Sequence, residues 1–169
     1  MTASSATVVG TLAPAKEAGF EVAVGPWHAQ LVRRLVVVLR DQHDAEDVAQ
    51  EAYARALAAW DRFDGTDVRA WLYTIALRLA FDRLRSRRRW VGRLARPTVE
   101  PAYRDAVDPD LWAAVGRLKP RVRAALLANV LDGYTQREIA SMLDVAEGTV
   151  ASWLSRARAT LREDLADQP

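Results

Sequence analysis

A chain of 169 residues with 50% hydrophobic and 27% charged content has core material for one or two small globular domains. Zero cysteines exclude disulfides and thiolate metal sites, two histidines offer little to an acid–base or metal centre, and no apolar run comes near the roughly 18 residues of a membrane span. A cytoplasmic, non-enzymatic protein with no cofactor, no metal and no membrane partner is therefore expected. The net charge is only +2, but from Arg78 to Arg96 eight arginines stand against Asp82 alone, a local +7 that leaves −5 for the rest.

Residues 1–19 mix Thr, Ala, Ser, Gly and Pro without period, lack the basic start and apolar run of a signal peptide, and are expected to be disordered. A first folded block over 20–91 reads as wholly helical. Pro26 can open a helix that continues through Leu31, Leu35 and Val38 to Arg40; Val36 to Val38 alone suits a strand, but the helical period extends on both sides. The next helix, Asp44 to Trp60, places Val48, Ala52, Ala56 or Leu57, and Trp60 inward and Asp47, Gln50, Glu51 and Arg55 outward. Acids at its start, Asp44, Glu46 and Asp47, favour the positive helix terminus, which does not account for the outward Gln50 and Glu51. After a short loop, Asp64 to Asp67, a third helix carries the apolar line Val68, Leu72, Ile75, Leu79 and Leu84 into the arginine cluster. Such a cluster in an otherwise acidic chain suits a polyanion, because each neutralised phosphate releases counterions; a solvated face is the plainer alternative. Trp90, directly after it, reads as a core residue sooner than a base-stacking one.

Residues 97–109 hold three prolines and a net charge of −2, which marks a linker, taken as 92–109. A second domain over 110–165 begins with Leu111, Val115 and Leu118; Pro120 then opens a helix, Arg121 to Leu131, that ends at Gly133. From Tyr134 to Leu161, Ile139, Ala140 and Leu143 recur at helical spacing, Asp144 to Gly148 interrupts, and Val150, Leu154, Ala157 and Leu161 resume it. Helix, tight turn and helix is the outline of a helix-turn-helix, whose second helix enters the major groove; two packed helices of an ordinary bundle are the alternative. Ser152, Ser155, Arg156 and Ala159 lie opposite the apolar arc, small and polar enough to approach phosphates and base edges. Trp153 sits at the border, with packing on the first helix favoured. Ala146 occupies the N-cap position, where Ser, Thr or Asp contributes about 1 kcal/mol, and Glu147 partly offsets its absence.

Three segments in order carry a family resemblance. DAEDVAQEAYARAL (Asp44 to Leu57), VRAWLYTIALRLAFDRLRSRRR (Val68 to Arg89) and LKPRVRAALLANVLDGYTQREIASMLDVAEGTVASWLSRARATL (Leu118 to Leu161) resemble a bacterial RNA polymerase sigma factor of the sigma-70 family, in the extracytoplasmic-function group that keeps only the second and fourth conserved regions. The resemblance implies an all-α fold of two small helical domains, a sigma region 2 helical bundle and a sigma region 4 helix-turn-helix domain, joined by a flexible linker. It implies that Asp44, Asp47, Gln50 and Glu51 dock on the coiled coil of the largest core polymerase subunit, with the flap as a second contact. Asp64, Arg78, Arg83, Arg85, Arg87 and Arg88 would hold the minus-ten promoter region, the Asp64 to Asp67 loop capturing an extruded base. Thr135, Arg137, Thr149, Ser152, Trp153, Ser155 and Arg156 would meet the minus-thirty-five element, the linker would thread near the template and RNA path, and an anti-sigma factor is a partner expected by family. Four features depart from the family pattern: Arg78 stands where Asn is common, the Asp64 to Asp67 loop is short, Val150 to Leu154 reads VASWL where VKSRL-like sequences are common, and Asp144 replaces a usual turn glycine. A stand-alone helix-turn-helix regulator is the alternative; it leaves Asp44 to Tyr53 without a purpose.

Overall fold

The computed structural model describes residues 19–64, 67–90 and 108–166, and every regular element among them is helical. The expectations for 1–18 and for 91–107 lie outside these residues. Helix α1 (Phe20–Val24) passes through a 3-10 turn (Gly25–Trp27) into α2 (His28–Leu39), so Pro26 sits in the turn and not at the head of α2. The valine run is helical, and the helix stops where Arg40 turns left-handed at φ 60°.

Helix α3 (Gln42–Ala58) starts two residues before the predicted Asp44, because the extended Asp41 caps it: its carboxylate accepts from the Asp44 amide at 2.9 Å. A 3-10 turn (Trp60–Arg62) follows, in which Trp60 stacks on Phe63 at 5.2 Å and Phe63 leans on Trp71 at 4.9 Å. This aromatic wedge fixes the start of the 64–67 loop against α4 (Val68–Trp90). The buried face of α4 is Leu72, Tyr73, Ala76, Leu77, Ala80 and Phe81. Of the predicted line only Leu72 is fully buried, while Val68, Ile75, Leu79 and Leu84 are half-buried at its edge. The centre of the stripe includes Ala76 and Ala80, both fully buried, which a line of large side chains does not mark.

In the second half α5 (Pro109–Arg117) is capped by Asp108, so the predicted linker gives up its last two residues to this helix. Next, α6 (Pro120–Val130) begins on Pro120 as expected, and Gly133 at φ 75° reverses the chain after it. Helix α7 (Gln136–Leu143) has a capping box, in which Thr135 Oγ1 accepts from the Glu138 amide while the Glu138 carboxylate accepts from the Thr135 amide at 2.7 Å. The Thr135 hydroxyl, which donates to the Glu138 carboxylate at 2.7 Å, and next the Thr135 amide lower the pKa of that exposed carboxyl from its ordinary value. Asp144 turns left-handed at φ 53°, and α8 (Glu147–Ala166) follows, burying Val150, Leu154 and Ala157. Trp153 is half-buried and packs on the core, as favoured.

A single apolar cluster joins both halves, running from Phe20, Leu35 and Leu77 through Leu126 to Ile139 and Leu154. It gathers α2, α3 and α4 on one side and α6, α7 and α8 on the other, with α6 against α2 and α7 against α4. One expectation, that no apolar run approaches the length of a membrane span, is corrected by composition. Phe20–Leu39 is, in length and composition, a 20-residue stretch apolar enough to cross a membrane. Its Leu31, Leu35, Val36, Val38 and Leu39 are instead buried within the protein.

Candidate nucleic-acid interface

The arginine cluster and the acidic helix, predicted as separate surfaces, meet in one ion-pair network. Successive turns of α4 carry Arg83 and Arg87 to the start of α3. Arg83 bonds Asp44 at 2.8 Å and Asp47 at 2.9 Å; Arg87 bonds Asp44 at 2.8 Å and Asp41 at 3.2 Å. The hydrogen bond to Asp44 raises the Arg83 pKa further above its ordinary value. Asp44 is thereby buried, unlike Asp47, Gln50 and Glu51, with which the resemblance grouped it as a contact of core polymerase. Arg85 pairs with Asp82 on its own helix. The cations of α4 left exposed and without such bonds among the described residues are Arg78, Arg88 and Arg89. The i, i+4 spacing of Arg83 and Arg87 opposite Asp44 and Asp47 was the signal available for this network.

On the outside of α3, Asp47, Gln50 and Glu51 are exposed, Glu51 pairing with Arg55 one turn on at 2.7 Å. Helical geometry extends the same stripe through Ala54 to Leu57 and Ala58. Leu57 is 55% exposed while Ala56 is buried, which settles the choice between them as inward residue. An acidic stripe that becomes apolar over three turns suits a helical partner with basic and apolar side chains. Asp64 is also exposed, at the edge of the aromatic wedge.

In the helix-turn-helix, Ser152, Ser155 and Arg156 lie exposed on α8 opposite its buried stripe, with Thr149 half-buried at its start. Arg156 reaches back one turn, donating Nη2 to Ser152 Oγ at 3.0 Å and Nε to the Ser152 carbonyl at 3.3 Å. Arg158 is not available in the same way, because it donates to Asn129 Oδ1 at 2.7 Å. On α7, Arg137 is exposed, whereas the hydroxyl of Thr135 is engaged in capping. Trp153 is half-buried and packs against the core.

The two halves are fastened by polar contacts that periodicity does not reveal. Asp132, just after α6, is buried with its side chain 1% exposed; Arg34 donates Nε and Nη2 to it at 3.1 Å, and Gln30 donates at 2.6 Å. Arg69, at the start of α4, donates to the Asp132 carbonyl at 3.0 Å and to Tyr134 Oη at 2.7 Å, and its guanidinium lies 4.6 Å from the Tyr134 ring centre. Burial pushes the Tyr134 hydroxyl up to about 12. Arg40 donates to the Trp112 carbonyl at 2.7 Å and covers its ring at 4.2 Å. That approach requires Gly116, where a Cβ would lie 2.6 Å from the Arg40 guanidinium.

Comparison with known proteins places these features. Residues 23–90 match the family described as Sigma-70 region 2, and residues 109–161 the family described as Sigma-70, region 4. The chain is 34% identical over 155 residues to the ECF RNA polymerase sigma factor SigE of Mycolicibacterium smegmatis, covering 82% of this chain but 59% of that relative. It is 36% identical over 145 residues to the ECF RNA polymerase sigma factor SigM of Mycobacterium tuberculosis, covering 79% of this chain and 70% of that one. Among solved structures it is similar to the sigma factor RpoE of Bartonella quintana, crystallised in complex with the anti-sigma factor NepR. That match has a TM-score of 0.77 at 27% identity, over 89% of this chain and 98% of the other.

Proposed function

The chain belongs to the sigma-70 family of RNA polymerase sigma factors, in the extracytoplasmic-function group, and we infer that it binds core RNA polymerase and directs it to specific promoters for transcription initiation. One observation carries this reading: region 2 and region 4 matches stand in order in a single chain. A stand-alone helix-turn-helix regulator has no use for residues 23–90. Nucleotide addition belongs to the core enzyme, and the chain itself performs no catalysis; its place of work is the cytoplasm, with the polymerase.

Within this reading the outward stripe of α3, Asp47, Gln50, Glu51 and the apolar Leu57, docks on the coiled coil of the largest subunit. What supports it is exposure together with the change from acidic to apolar along one helix face. Asp44 serves from behind, holding Arg83 and Arg87 so that α3 and α4 keep one geometry. Arg78, Arg88 and Arg89 supply the phosphate contacts of the minus-ten region, with Arg85 joining when it exchanges Asp82 for DNA, and Asp64 borders the pocket for an extruded base. Thr149, Ser152, Ser155 and Arg156 of α8, flanked by Arg137, meet the minus-thirty-five element. The flap of core polymerase takes the second half, and an anti-sigma factor is a further partner, in line with the complex in which the Bartonella relative was crystallised. The proposed domain limits are 20–91 for region 2 and 110–165 for region 4, the start of the second moved to 108 by the Asp108 cap and Pro109 of α5.

The test is a double charge reversal, Asp47→Arg with Glu51→Arg, followed by gel filtration with sigma-free core polymerase. Core association should vanish while circular dichroism stays unchanged. Co-elution equal to that of the unaltered chain would refute the docking face.

A further inference from the structure

A cleft of 260 Å³ opens between α4, the start of α6 and the end of α7. Its apolar lining is Phe81, Met142 and Leu143, each buried in the protein. The charged side chains along it are exposed: Arg78, Asp82 and Arg85 from α4, and Arg121 and Asp144 from across. Apolar walls with a few convergent polar groups are the general make-up of a small-molecule site.

The charges do not all cancel one another. Arg85 pairs with Asp82 on its own helix, which removes both from the account. Arg121 stands in the first turn of α6, a turn without an acid. Its guanidinium lies 5.0 Å from the Phe81 ring centre and donates Nη1 to the Leu143 carbonyl at 3.2 Å. The other edge of that guanidinium, Nε with Nη2, makes no bond among the described residues. Arg78 and the Asp144 carboxylate likewise make none among these residues. Two cations without a carboxylate of their own thus share a cleft with one carboxylate that has no cation. A guanidinium already seated on a ring and a carbonyl loses little freedom when its open edge forks onto an anion.

The chemistry of the occupant follows from these three groups. Two guanidiniums call for a doubly charged anion, and a phosphate monoester carries about −1.5 to −2 at neutral pH. A free amino acid brings one carboxylate, which leaves one guanidinium unmet. Inorganic phosphate satisfies the arginines but uses neither the apolar lining nor Asp144. A nucleoside monophosphate uses all of them, because its base is an apolar-faced ring and adenine and cytosine carry an exocyclic amino donor. The volume lies just under the roughly 300 Å³ at which sites for larger ligands begin, which limits the occupant to a single nucleotide.

We propose that this cleft binds a nucleoside monophosphate, with the phosphate on Arg121 and Arg78, the base along Phe81, Met142 and Leu143, and its amino group donating to Asp144. The site is a property of the chain alone and stands apart from polymerase and promoter. Its failure and that of the sigma reading are therefore separate results.

The test is calorimetric titration of the full-length chain with AMP, UMP, adenosine, inorganic phosphate and leucine. AMP should bind one to one, about tenfold tighter than adenosine or phosphate alone. Arg121→Ala and Arg78→Ala should each weaken it by about tenfold, and Arg121→Lys by less. Arg162→Ala, an exposed cation of α8 outside the cleft, should change nothing. Asp144→Asn, which tolerates the left-handed backbone at φ 53°, should narrow the preference for AMP over UMP. Circular dichroism checks that each variant folds, and Arg78→Ala, at an exposed position, keeps the test open if Arg121→Ala does not. Absence of AMP binding would overturn the site, including the case in which only a 5′-phosphorylated oligonucleotide binds. Equal weakening by Arg162→Ala would reduce the effect to diffuse charge attraction, and leucine binding more tightly than AMP would overturn the choice of ligand.

Discussion

Helices α4 and α8 are both amphipathic, both carry arginines away from the core, and both are proposed to meet DNA, yet their cations are spent differently. In α4 two arginines of the cluster are drawn inward by Asp41, Asp44 and Asp47, a third is paired along the helix, and three remain exposed without such bonds among the described residues. In α8, which carries Arg156, Arg158 and Arg162, Arg158 is held by Asn129, while Arg156 beside Ser155 rests on Ser152 of its own helix. A charge-rich helix can therefore devote much of its charge to holding the fold, and a charge-poorer one can keep a cation for a ligand. Counting arginines overstates the first and understates the second.

The largest effect that would sharpen this contrast is expected at Asp44. Removing it by Asp44→Ala leaves Arg83 and Arg87 without their shared, nearly buried partner and should cost about 3 kcal/mol of stability, read from urea denaturation. A change below the error of the extrapolation would place the network among surface pairs of little worth and break the contrast. Arg156→Ala should weaken binding to an upstream-element duplex by about 2 kcal/mol with the melting temperature unaltered; an unchanged footprint over that element would remove Arg156 from the interface. Arg78→Ala and Arg88→Ala should each lower the salt slope of minus-ten binding by about 1, whereas Arg83→Ala should chiefly reduce stability. Equal slopes for all three would mean that the ion pairs do not sequester Arg83. The smallest effect concerns the head of α8, where Ala146→Ser should add about 1 kcal/mol through a cap, seen as a rise in thermal midpoint.

Element positions were readable because burial imposes a period on neighbours in the chain. Pro120 and Gly133 bracketed α6, the interruption at Asp144 separated α7 from α8, and Val150, Leu154 and Ala157 fell on the buried side. The centre of α4 was harder, since Ala76 and Ala80 are fully buried there yet carry little hydrophobic signal. Asp41 was overlooked as a cap because acids at Asp44, Glu46 and Asp47 offered a sufficient explanation of the helix start. The contacts of Gln30 and Arg34 with Asp132 join residues 102 and 98 positions apart, and no local pattern encodes a pairing of that range. The length of Phe20–Leu39 as a continuous apolar stretch was missed for a related reason: scattered Arg33, Arg34 and His28 break the run to the eye, although the mean remains apolar.

The left-handed Asp144 shows how a departure from family pattern is absorbed. At φ 53° it adopts the conformation that glycine reaches without strain, and its amide still bonds the Ser141 carbonyl at 3.4 Å while Val145 bonds Ala140 at 3.0 Å. The aspartate thus closes the turn between α7 and α8 in a left-handed conformation.

The most direct measurement adds the purified chain to sigma-free bacterial core polymerase and a pool of promoter DNA, and sequences the 5′ ends of the transcripts. New starts that share an upstream and a downstream element at constant spacing are expected, and they should be lost when Asp47→Arg and Glu51→Arg are combined. No transcript from any promoter, together with no association between the chain and core polymerase, would contradict it.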